Sequence, residues 1–227
     1  MSELKKIKTI LIDTLTGIQT DEWMASEKKP GHDQWMDMGK SIWNITSYLK
    51  SQGFTIIYVL GEPGTGKSCG IRTLDPETTI WFNADKKNPT WIGGRQAYGT
   101  VSNPKQPYHS IPTSYNEIIA EIDKVKQRIG FEEVVYCFLT GHIEDYKSGM
   151  DSKKRLKTLG KVATKFQLEG RAETVLYSIV RKGPDGKMQY LLETENDGYN
   201  TARSPMGLFE SVIDNDYQFI INKLDTM

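Results

Sequence analysis

Short apolar runs alternate with amphipathic stretches along most of this chain. Ile7-Lys-Thr-Ile-Leu-Ile12, ending at Asp13, predicts a strand, and a polar stretch follows to about Asp33. Trp35, Met38, Ile42, Ile45 and Leu49 recur at spacings of three and four, which predicts a core-facing helix over residues 34–51, stopped by Gly53. Phe54 to Leu60 is an apolar, β-rich run, and the short helix expected soon after it closes at Asp75-Pro76. Thr78 to Asn83 is a further strand. From Ala84 to Pro112 runs a connection rich in Pro, Gly, Lys and aromatic residues, long enough to suggest a functional loop. Tyr115, Ile118, Ile119, Ile122 and Val125 then keep helical register up to Arg128, behind Thr113 or Ser114 as N-cap.

Glu133 to Thr140 is nearly continuous in apolar residues, as in the buried centre of a parallel sheet. Residues 153–168 are read as a helix. Glu173 to Arg181 and Lys187 to Thr194 alternate around Gly183-Pro-Asp-Gly186, a hairpin signal, and Asp216 to Leu224 is read as a last helix. Strands alternating with helices predict one α/β domain over residues 1–227. Its sheet should be mainly parallel and flanked by helices, with a C-terminal antiparallel hairpin. Ligands of such sheets lie beyond the carboxyl ends of the strands, where Asp13, the loop at Gly61, Asn83 with Asp85, and Thr140 with His142 all fall.

Composition narrows the partners only a little. The chain has 227 residues, with 29 basic and 29 acidic side chains, so any nucleic-acid site must be local. Cys69 and Cys137 read as reduced thiols, Cys69 as a packing residue beside the loop. The N-terminus lacks the apolar core of a secretory signal, and no apolar run approaches the ~20 residues that cross a bilayer. A soluble cytoplasmic protein is the expectation, in host cytoplasm if phage-encoded, with no membrane partner.

The strongest chemical signal is Gly61-Glu62-Pro63-Gly64-Thr65-Gly66-Lys67-Ser68, a complete G-x-x-x-x-G-K-S phosphate loop (Walker A), followed by Cys69. Gly61, Gly64 and Gly66 let backbone N–H groups converge on a phosphate, in dihedral regions a Cβ disfavours. Lys67 supplies charge for the β- and γ-phosphates, and the Ser68 hydroxyl can ligate Mg²⁺. ATP and Mg²⁺ are therefore the expected cofactors. Asp13, after an apolar strand, is the candidate second metal residue, although Asp13-Thr14 can also open a helix. Hydrolysis needs a carboxylate to position water. Glu22 about nine residues beyond Asp13, Glu62 inside the loop and Asp85 after another strand are all available and none stands out, each also readable as a solvated surface carboxylate; Glu22 is taken as the catalytic candidate. His142 is a candidate γ-phosphate sensor, and Arg203 a candidate arginine finger in cis or toward a neighbouring subunit.

Between Lys147 and Lys165 stand seven basic residues against the single acid Asp151. On a helix, Lys154, Lys157, Lys161 and Lys165 would form one stripe toward a phosphate backbone, although a solvated face explains them as well. In the 84–112 loop, Trp91, Tyr98 and Tyr108 accompany Lys86, Lys87, Arg95 and Lys105. They are either stacking platforms for unpaired bases or core anchors.

Five phrases align with a known family: the phosphate loop; Thr79-Ile-Trp-Phe-Asn-Ala-Asp-Lys-Lys87; Phe138-Leu-Thr-Gly-His-Ile-Glu144; Arg155-Leu-Lys-Thr-Leu-Gly-Lys161; and Asn196-Asp-Gly-Tyr-Asn-Thr-Ala-Arg-Ser-Pro205. Together they resemble the phage-encoded, RecA-like AAA ATPases that include single-strand annealing recombinases of the Sak type. The resemblance covers nearly the whole chain. It implies a RecA-like P-loop NTPase core, ATP hydrolysis with Mg²⁺, and a homo-oligomer acting on single-stranded DNA in recombination or replication. It assigns Lys67 and Ser68 to phosphate and metal, Asp13 to the strand-end acid (the Walker B segment) and His142 to the sensor. One departure stands out: the block from about residue 5 to 52, with its acid, precedes the loop instead of following it. Two other classes remain open, a P-loop kinase of a small nucleotide or metabolite and a nucleotide-dependent assembly protein.

Overall fold

The computed structural model describes residues 5–26, 32–148, 151–158 and 168–227; for residues 32–39, 147, 148 and 151 it describes the backbone only. The strands are β1 (Ile7–Asp13), β2 (Thr55–Gly61), β3 (Thr79–Asn83), β4 (His109–Ser110), β5 (Phe131–Gly141), β6 (Ile143–Ser148), β7 (Asp151–Leu156), β8 (Thr174–Lys182), β9 (Met188–Glu193) and β10 (Val212–Asp214). The helices are α1 (Leu15–Ala25), α2 (His32–Ser51), α3 (Gly94–Tyr98), α4 (Tyr115–Arg128) and α5 (Tyr217–Leu224), with 3₁₀ turns at Lys67–Thr73 and Leu168–Arg171.

Eight strands form one sheet in the order β10-β9-β8-β2-β5-β1-β3-β4, parallel from β8 to β4 and antiparallel at β9 and β10. The apolar runs explain the centre: β1, β2 and the second half of β5 are buried almost throughout, as strands covered on both faces must be. Register separates the two faces. Tyr58 pairs with Leu139 on the side of α2, while Ile57 pairs with Phe138, whose ring stacks at 4.3 Å on Tyr217 of α5. Helices therefore lie on both sides, and the chain is a mixed α/β protein built on a mostly parallel sheet. No described helix is long and apolar enough to cross a membrane.

Two elements depart from the sequence pattern. The stretch after Asp13 is helical: the Thr14 hydroxyl accepts from Gly17 N at 3.0 Å as N-cap of α1, and Leu15 and Ile18 are buried. That apolar stripe is too short to register as a period. The expected helix over residues 153–168 begins instead as strand β7, hairpinned to β6, while residues 159–167 lie outside the described residues. Cross-strand charge explains the strand. Glu144 faces Arg155, with a 2.9 Å ion pair, and Asp145 faces Lys154. The predicted lysine stripe is thereby corrected: Lys154 is on β7, Lys157 follows it, and Lys161 and Lys165 are not described.

Candidate functional site

The cleft at the carboxyl ends of the parallel strands has a volume of about 370 Å³. Its walls include Asp13 and Thr14 at the end of β1, Gly64 and Gly66 to Cys69, Asp85 and Lys87 after β3, His142 after β5, and Tyr190 on β9. The loop from Gly61 to Ser68 leaves β2 and enters the 3₁₀ turn at Lys67. Gly64 and Gly66 hold φ of 82° and 88°, where a Cβ is strained. Gly61 has a different reason to be glycine, namely space: a Cβ there would meet the Ser178 carbonyl oxygen at 2.6 Å.

Lys67 is only 5% exposed. Its ammonium donates to the Gly61 and Glu62 carbonyls at 2.9 and 2.8 Å and lies 3.4 Å from His142 Nδ1. Burial lowers its pKa to about 8 against the attraction of Asp13 and Asp85. His142 is pushed down as well, by burial and then by the Lys67 charge, so its ring faces Lys67 as a neutral acceptor. Asp13 is buried and accepts from the Thr140 hydroxyl at 2.6 Å, with the Ser68 side chain close enough to favour its ionised form. Desolvation raises its pKa, and these two hydroxyls oppose the rise. β5 thus stands between the strands carrying Lys67 and Asp13, and its Thr140 bridges toward the acid.

Asp85 is the acid that sequence spacing left level with its rivals. It is 11% exposed, accepts from Thr14 Oγ1 at 2.8 Å and pairs with Lys87 at 2.7 Å. α1 makes room for it at Gly17, where a Cβ would meet Asp85 Oδ1 at 2.7 Å. Among the cleft's lining residues, oxygen donors that could hold a hard cation are the Ser68 hydroxyl and the Asp13 carboxylate. No cluster of three or more His, Cys, Asp or Glu forms a metal site among the described residues.

Three sequence candidates are not brought here. Glu22 accepts from Tyr115 N at 3.0 Å, tying α1 to the first turn of α4, and it does not line the cleft. Glu62 contributes its carbonyl to Lys67, while its carboxylate lies 3.8 Å from Lys154. Arg203 donates to the Ala172 carbonyl at 2.7 Å and to the Glu169 carbonyl, capping the turn at Leu168–Arg171, so it is no finger in cis. Tyr98 and Tyr108 are core anchors, both buried, whereas Trp91 packs on Trp81 and Tyr98 with ring centroids 5.7 to 6.2 Å apart and is half-buried, lining the cleft as well. Tyr98 and Tyr108 have no free face for bases, and Lys86 and Lys87 pair with Asp21 and Asp85. Cys69 lies 3.6 Å from Thr90 Oγ1, closing the 84–112 loop over the turn; Cys137 is buried, which pushes its thiol up.

Sequence reasoning missed the C-terminal supports. Asn215 Nδ2 donates to the Gly66 carbonyl at 2.7 Å and Tyr217 Oη to the Lys67 carbonyl, so residues about 150 positions away fix the glycine loop of residues 61–68. Only a polar Asn-Asp before an amphipathic helix hinted at them. A mostly parallel α/β sheet with a lysine-bearing glycine loop at its carboxyl edge is the class that fold and cleft define. Compared with known proteins, the chain matches no family model, and neither a curated protein nor a solved structure matches it significantly.

Proposed function

We propose that this protein is an ATP hydrolase of the RecA-like P-loop kind, serving phage DNA recombination or replication on single-stranded DNA as a homo-oligomer. The observation that carries the ATPase reading is the meeting of three strand ends in one cleft: Lys67 buried after β2 with Ser68 beside it, Asp13 at the end of β1, and His142 beside Lys67 after β5. A triphosphate along residues 61–68 supplies the counter-charge that the buried ammonium draws only from carbonyl dipoles and more distant carboxylates. Ser68 and Asp13 would hold Mg²⁺, whose chemistry is to neutralise charge on the transferring phosphate. Asp85 replaces Glu22 as the water-orienting carboxylate, because it lines the same cleft and is fixed by Thr14. The transposed order of strands is compatible with this, since a site needs strand ends side by side, not in sequence.

The kinase alternative gains no support, because no arginine lines the cleft. The DNA role rests on the family resemblance and on the β7 basics near the loop, Lys154 lying 3.8 Å from Glu62. Lys67→Ala tests the enzyme: steady-state ATP turnover should fall by about a hundredfold or more, and equal turnover would end the reading. Filter binding tests the DNA part, which fails if affinity for single-stranded DNA depends on neither ATP nor salt.

A further inference from the structure

The cleft has an end that the phosphates leave unassigned. Tyr190 sits on β9, two strands beyond β2 on the side away from β5, β1 and β3, and it lines the cleft opposite Asp13 and Asp85. Its ring lies against the phosphate loop: a Cβ at Gly66 would meet Tyr190 Cδ1 at 2.8 Å. It is 48% exposed, and among the described residues its ring enters no aromatic or cation contact and its hydroxyl no hydrogen bond. One residue sets its place. The Asn215 backbone donates to the Tyr190 carbonyl at 3.2 Å, while the Asn215 side chain donates to the Gly66 carbonyl at 2.7 Å. Strand β9 and the phosphate loop are thereby clamped together, with a large bare ring held at the loop's rim.

We propose that Tyr190 is the nucleobase platform of the cleft, stacking a purine ring while the triphosphate runs along residues 61–68 toward Asp13. The inference rests on the triphosphate reading above. Recognition is by face: the acids lining the cleft, Asp13 and Asp85, are at its far end, so no carboxylate is available to read the donor edge of guanine. Purine triphosphates bind more tightly than pyrimidine ones, and ATP and GTP differ little. Stacking also gives the ring a use that packing does not, since about half of Tyr190 stays exposed beside Gly66.

The test is calorimetric titration of Mg-ATP and of Mg-tripolyphosphate, which has the phosphates without a base, into wild type, Tyr190→Ala and Tyr190→Phe. Tyr190→Ala should weaken ATP about tenfold, within the range for base–aromatic stacking. It should leave tripolyphosphate unchanged, which also certifies an intact loop, and Tyr190→Phe should keep wild-type affinity for both. Equal weakening of both ligands, or of neither, overturns the platform. So does wild type binding tripolyphosphate as tightly as ATP, although the phosphate site then survives. Wild type binding neither ligand removes the triphosphate reading itself, and the platform with it.

Discussion

The two long walls of the cleft are built in opposite ways. Residues 61–69 wrap the end of β2 around a buried ammonium whose close partners are two carbonyls and a neutral imidazole. Residues 84–112 fold over β3 by packing rings on rings, with His109 stacked on Trp81 at 4.5 Å and Trp91 and Tyr98 beside them. Both loops follow strands at the same end of the sheet, and both read as functional in sequence. What separates them is whether their costly groups are satisfied. The cation of the first wall gains from a ligand's charge, whereas the rings of the second already satisfy one another. In the proposed reading the first wall acts on a ligand, and the second holds the shape in which Asp85 and Lys87 are presented.

Asp85, presented by the second wall and facing the first across the cleft, has the largest expected effect among the variants that test this division. Asp85→Asn keeps the shape and the bond from Thr14 but loses the charge proposed to orient water. ATP turnover should fall about a hundredfold, with ATP affinity nearly unchanged. Turnover within twofold of wild type would return the search to another acid. Tyr98→Ala attacks the second wall alone. Removing a buried aromatic side chain should cost about 3–5 kcal/mol in a denaturant titration, with substrate affinity per folded molecule retained. If affinity falls in step with stability, the division between the walls is wrong.

The first wall carries its own pH signature. In the free protein Lys67 has a pKa lowered to about 8, so above that pH a triphosphate meets a neutral amine. ATP affinity should drop roughly tenfold between pH 8 and pH 9.5. Stability of the free protein runs the other way. The unfolded lysine keeps its proton up to its ordinary value of 10.5 while the folded one loses it near 8, so the unfolded state holds more protons between them. Stability from this group therefore rises across that window, and unfolding of wild type and Lys67→Ala compared at both ends would show it. A falling difference would mean the ammonium is better satisfied than its burial implies.

Much of this was legible in the chain because parallel strands buried on both faces are written as apolar runs, and β1, β2, β3 and β5 begin and end within a few residues of those runs. The bend of residues 61–68 was legible because its backbone path restricts residue types, with Gly64 and Gly66 at positive φ. Two kinds of feature were not. Lysines at three- and four-residue spacing in residues 154–165 suggest a helix, yet Glu144 and Asp145, lying outside that segment, pair across a hairpin and fix residues 151–156 as a strand. Glu22 and Asp85 look alike as carboxylates after apolar runs. Only the fold shows that one ties α1 to α4 and the other enters the cleft. Asn215 and Tyr217 support a loop about 150 residues away, and no local pattern encodes such a pairing.

The smallest effect tests how finely the second wall presents its acid. At Gly17 a Cβ would lie 2.7 Å from Asp85 Oδ1 and 3.3 Å from the Ala84 carbonyl carbon. In Gly17→Ala the carboxylate must swing away from Thr14, the partner whose hydroxyl both caps α1 and holds Asp85. Alanine is also the better helix former, worth about 1 kcal/mol in a helix interior, which offsets the crowding and keeps the fold. Turnover should drop about fivefold through misplacement alone, at unchanged ATP affinity and with a melting temperature close to wild type. Combining it with Asp85→Asn then isolates the cause: if Gly17 acts only through Asp85, the double variant is no slower than Asp85→Asn by itself. An additive loss would mean that α1 shapes the cleft by a route other than Asp85.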